Sequence, residues 1–130
     1  MKNIPRWSYD GKEFRSVSNS NSGEVSEDTT FFYQQNGSVI SASYQGGNIR
    51  EGNLLGRVEP DGTIQMSYQH WNKKDEFRTG ICTSTPELLP NGKIRLHESW
   101  EWTSGIEGSG ESIIEAVSYT HLTLPTILLV

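Results

Sequence analysis

Twelve residues, Asn91 to Trp102 (NGKIRLHESWEW), restrict what this chain can fold into more than any other stretch. The Asn-Gly pair favours a tight turn. The alternation after it puts Ile94, Leu96, Glu98, Trp100 and Trp102 on one side of a strand and Lys93, Arg95, His97, Ser99 and Glu101 on the other. The first side is apolar and aromatic with a single carboxylate in its middle. A strand that buries two indoles and a glutamate needs a wall opposite and a partner for the charge, so the interior it faces must be partly polar.

The rest of the chain reads as more strands of the same kind. Asp10-Gly11, Asn36-Gly37, Gly46-Gly47 and Asp61-Gly62 are turn signals, and the strands they bound are expected at 4–9, 14–18, 28–35, 39–45, 48–58, 63–71, 76–85 and 111–117, besides the one after Gly92. A polar loop through Glu24 (NSNSGE) reads as mobile, and Pro86 and Pro90 place ELL in a longer connection because neither can donate to a ladder. Gly52 and Gly56 lie on the same face as Leu54 and mark a bend or a close approach by something bulky. Only 33% of the 130 residues are hydrophobic, which suits sheets that wet one face and argues for one all-β domain. An antiparallel up-and-down meander of eight or nine strands has two open edges unless its ends meet. Closure into a barrel of about eight strands removes them and leaves room for packed side chains or one small ligand.

Charge and cysteine content narrow the partners. Eleven basic against sixteen acidic residues, a net charge of -5, make a phosphate-binding basic patch improbable, so nucleic acid is not expected. The lone Cys82 excludes an internal disulfide framework and agrees with a reducing compartment. The first ten residues hold a proline, an arginine and an aspartate where a signal peptide would be apolar, so a cytoplasmic location is expected.

The runs GGNIREGNLLGRVEPDGTIQMSYQHWN and TGICTSTPELLPNGKIRLHESWEWTSG resemble a family of short bacterial proteins with an avidin-like, lipocalin-type barrel, and the resemblance extends over most of Trp7 to Ile114. It implies a closed β-barrel. The label N-acetylglutamate synthase that such proteins often carry implies acetyl transfer from acetyl-CoA. In the usual acetyltransferase fold that reaction uses a glycine-containing pyrophosphate loop at a helix N-terminus, and no such strand-loop-helix unit is legible here. Avidin's ligand-binding residues do not match this chain position by position.

Tyr33, Tyr44, Tyr68, Trp100 and Trp102 offer flat apolar faces with polar tips, suited to an organic ligand or simply to filling a barrel. Glu98 needs a cation or several donors, and Arg78 on the preceding strand is the expected partner, either as a structural ion pair or as a ligand-reading pair. These seven residues form the candidate ligand-binding set. His70 shares a face with Met66 and Tyr68 and could point toward a barrel mouth. Cys82, His70 and His97 show no metal-ligand spacing and no thiolate–imidazole arrangement, and Glu98 and Glu101 face opposite ways. No catalytic residues, metal or cofactor are therefore expected. The primary reading is a barrel that binds a small, partly apolar molecule and can form homo-oligomers. The alternative is a solid barrel that works through its outer face.

Val117 to Val130 (VSYTHLTLPTILLV) breaks the pattern, with no Asp, Glu, Lys or Arg and 8 hydrophobic residues in 14. It is too short for a membrane span and holds Pro125 in its middle, so no membrane association is expected. Its first ten residues resemble the conceptual translation of a transposon-derived sequencing adapter. The expected domain is therefore 1–116, followed by a non-native tail at 117–130.

Overall fold

The computed structural model describes residues 7–21, 23–104 and 106–119. Eight strands follow one another: β1 (Glu13–Asn19), β2 (Thr30–Asn36), β3 (Val39–Gly46), β4 (Ile49–Val58), β5 (Ile64–Asn72), β6 (Phe77–Leu88), β7 (Ile94–Trp102) and β8 (Ser109–Ala116). Each pairs antiparallel with the next. β1 pairs with β8 through Phe14↔Ala116, Arg15↔Glu115 and Ser16↔Ile114, which closes the barrel and removes both edges.

Alternation decides which side chains enter. Along β7, Ile94, Leu96, Trp100 and Trp102 are buried, Glu98 is partly buried, and His97, Ser99 and Glu101 are exposed. β5 turns Ile64, Met66, Tyr68, His70 and Asn72 inward, while β6 turns Gly80, Cys82 and Ser84 inward. One end of the barrel is filled by Tyr9, Phe14, Tyr33, Ile40, Ile64, Ile94, Leu96 and Ile114, each at most 1% exposed. The segment before β1 crosses that end, and the Tyr9 hydroxyl donates to Gly62 O at 2.8 Å. The other end holds a cavity.

Two expectations need correction. Within the 4–9 stretch, Trp7 to Tyr9 is irregular rather than a strand, because Tyr9 N bonds the Gln35 side chain and its ring plugs the barrel end. Residues 4–6 lie outside the described residues. β6 does not stop at Thr85 but continues through Pro86, which faces Leu96 of β7. The β5–β6 ladder ends at Ile64↔Ser84, so beyond Ser84 the strand has a partner on one side only and a missing N–H costs it nothing on the other. In the β1–β2 loop Asn19 Nδ2 donates to Val25 O at 3.0 Å, and Glu24 reaches into the open end. β8 ends at Ala116, and most of the adapter-like segment, 120–130, lies outside the described residues.

Candidate functional site

Small residues on neighbouring strands let the aromatic side chains lie against the wall and leave space in the middle. A Cβ at Gly52 would meet the Tyr44 ring, one at Gly80 the Tyr68 ring, and one at Gly110 the Trp100 ring. These glycines face the aromatics across the ladder, as Tyr44↔Gly52, Tyr68↔Gly80 and Trp100↔Gly110. The space left is a cavity of about 50 Å³, whose walls include Phe31, Leu54, Met66, Tyr68, Trp100 and Trp102. A water takes roughly 30 Å³ in the liquid, so the chamber as it stands admits only a few heavy atoms. Trp102 meets Tyr68 and His70 edge to face, both at 5.9 Å, and lies tilted against Trp100 at 5.4 Å, while Phe31 stacks on Tyr44 at 5.1 Å.

The floor is polar. Glu98 accepts hydrogen bonds from Ser84 Oγ at 2.9 Å and Ser112 Oγ at 3.0 Å, one to each carboxylate oxygen. Burial pushes the Glu98 carboxyl up to about 7, and the two serine bonds hold it back only in part. The expected Arg78–Glu98 pair is not formed. Glu98 faces Ser84 across β6, and Arg78 is six residues farther along that strand, roughly 20 Å at the rise of an extended chain. Neutral donors close at hand replace a distant cation, at the cost of a raised pKa.

Arg78 works at the mouth instead. It bonds Glu24 (Nε to Oε2, 3.4 Å) and Glu76 (Nη2 to Oε1, 3.0 Å). Glu24 enters from the β1–β2 loop and is also bound by His70 Nε2 at 2.7 Å and by Asn72 Nδ2 at 3.1 Å. Burial alone would raise the Glu24 carboxyl, but the bonds from His70 and Asn72 and the Arg78 charge outweigh it and hold its pKa below the usual range. Burial draws the His70 pKa down, only partly opposed by Glu24; its Nε2 lies 2.7 Å from Glu24 Oε1, and its Nδ1 lies 2.8 Å from the Tyr44 hydroxyl, which also reaches Gln69 O at 3.2 Å.

Of the seven residues expected to bind ligand, Tyr44, Tyr68, Glu98, Trp100 and Trp102 line the cavity. Tyr33 is packed under it against Phe14, with ring centroids 4.8 Å apart, and its buried hydroxyl has no partner among the described residues. Arg78 stands behind Glu24. His70, which alternation sends toward a mouth, is there. Cys82 lies in the wall with its thiol pKa raised by burial, while His97 is on the outer face with Glu87, so the two do not meet. Sequence reasoning missed Glu24, Asn72, Ser84 and Ser112. The two serines could have been found, since alternation places them inward like Cys82 and Ile114. Glu24 could not, because no periodicity governs a loop.

An eight-stranded antiparallel meander closed on itself, solid at one end and hollow at the other, is the architecture of a barrel of the avidin kind. The model of the avidin-like protein family matches residues 7–117, and the chain belongs to that family. A comparison with curated proteins returns no match.

Proposed function

We propose that the barrel binds a small, partly apolar molecule in its open end. The observation that carries this reading is the chamber itself: Tyr68, Trp100 and Trp102 line a space at the open end, and Glu98 and Ser112 bring hydrogen-bonding groups to its floor. A solid barrel would have spent those rings on filling the lumen. Thermal denaturation against a panel of small organic molecules tests the reading. A ligand at a hundred times its Kd should add about 2.7 kcal/mol and raise Tm by several degrees, with a change in tryptophan emission. A panel covering acids, amides, amines and neutral rings that moves neither Tm nor emission would count against it.

A second reading, self-association, is favoured by the outer face. Leu55, Trp71, Phe77 and Ile81 on β4, β5 and β6 are between 42% and 60% exposed, and the Trp71 and Phe77 rings pair at 5.0 Å. Such a face is suited to a second copy of the barrel. Sedimentation over a concentration series should show dimers or larger species that Ile81→Lys weakens. A monomer at every concentration would remove this reading.

A further inference from the structure

We propose that the mouth of the barrel is a carboxylate seat that Glu24 fills from within, and that the molecule bound is a monocarboxylic acid with a flat apolar body. This inference rests on the reading of the open end as a binding cup and specifies its ligand. His70, Asn72 and Arg78 donate together to one carboxylate, and each is oriented by groups other than Glu24. His70 is fixed by the Tyr44 hydroxyl on its Nδ1. Asn72 Oδ1 accepts from the backbone N–H of Lys74 and of Glu76, both at 2.9 Å, which obliges its Nδ2 to point at the carboxylates. Arg78 is held by Glu76. The seat is thus built on strands β5 and β6 and survives if its occupant leaves.

The occupant, by contrast, comes from a loop. Near Glu24 the loop is tied by Asn19 Nδ2 to Val25 O and by Gly23 N to Ser20 O, with no ladder partner among the described residues. Replacing Glu24 by another carboxylate leaves the local charge unchanged, with Arg78 still between the incoming group and Glu76, so the exchange carries no net electrostatic cost at the seat. Below the seat the walls are Phe31, Met66, Tyr68, Trp100 and Trp102, which favour an apolar body over a second charge. The present cavity of about 50 Å³ is too small for an aromatic acid while Glu24 is in place. Entry of ligand and withdrawal of Glu24 are therefore one event, and the affinity of the unaltered protein is reduced by the fraction of time the seat is open.

Phenylacetate and its uncharged counterpart phenylacetamide are the probes, titrated against tryptophan emission in the unaltered protein and in Glu24→Ala, with circular dichroism to verify the fold. Phenylacetate should bind Glu24→Ala about tenfold or more tighter than the unaltered protein, and phenylacetamide should show no such gain. Acetate, the fragment that the substitution removes, should raise the Tm of Glu24→Ala where acetamide does not. Should Glu24→Ala fail to fold, Glu24→Gln keeps a side chain in the seat and should show the same preference for acid with a smaller gain. Equal binding of acid and amide would overturn the carboxylate seat and leave the cup reading standing. No binding of either probe, with no effect of acetate, would overturn the seat, and the cup reading would then stand or fall with the wider panel.

Discussion

Glu98 concentrates the physics of this barrel in one side chain. Its carboxylate accepts from two serine hydroxyls and meets no cation among the described residues, so the cost of burying the anion is only partly offset. With a pKa raised from the ordinary 4.5 to about 7, the folded protein holds a proton that the unfolded chain releases. The sign follows: stability from this group is fully present below about pH 4.5, falls as pH rises, and is gone once pH passes about 7. The shift corresponds to roughly 3–4 kcal/mol at most. Glu98→Gln keeps hydrogen-bonding capacity toward Ser84 and Ser112 and removes the titration. The Tm difference between the Gln variant and the unaltered protein should therefore grow in favour of Gln from pH 4.5 to pH 7.5. A difference constant across that range would show that Glu98 titrates normally. That Glu98 faces inward was legible from alternation in IRLHESWEW. Its partners were not, because they depend on the register between β6, β7 and β8, and register is set by ladders rather than by any one strand's pattern.

At the level of elements, glycine and proline show what a sequence conveys and what it withholds. Gly52 and Gly56 could be read as places where something bulky comes close, and Gly52 does lie under the Tyr44 ring and Gly56 beside Met66. Gly80 and Gly110 do the same for Tyr68 and Trp100, but each is isolated in its strand and carries no signal without knowing what lies opposite. Pro86 was read as a breaker and is instead part of β6, since whether a proline breaks a ladder depends on whether its neighbour still has residues there. The β1–β2 loop is the same lesson for function. Its Ser, Asn and Gly composition gives no hint that one carboxylate in it meets three oriented donors. The strands were legible because their periods are local. Glu24 was not, because the constellation that binds it is assembled from β5 and β6, more than forty residues away.

For the molecule as a whole, closure is the step on which the cup depends, and β1 is where closure is thinnest. β1 pairs with β2 only over Glu13–Arg15, and its pairing with β8 shifts register between Ser16 and Ser18. Phe14 stands at this seam, opposite Phe31 on one side and Ala116 on the other. It is wholly buried and lies 4.8 Å from the Tyr33 ring and 6.5 Å from that of Tyr9, so it ties the seam to the plug that fills the solid end. Truncating a buried phenylalanine costs about 3–5 kcal/mol, a large share of a small domain's total stability of about 5–15 kcal/mol. If the barrel is one cooperative unit, Phe14→Ala should lower the denaturant midpoint in a single transition seen alike by far-ultraviolet dichroism and by tryptophan emission, although Trp100 and Trp102 sit at the opposite end. Two separated transitions, or a loss below about 1 kcal/mol, would mean that the hollow end holds its shape without the seam, and that closure is not what keeps the chamber open.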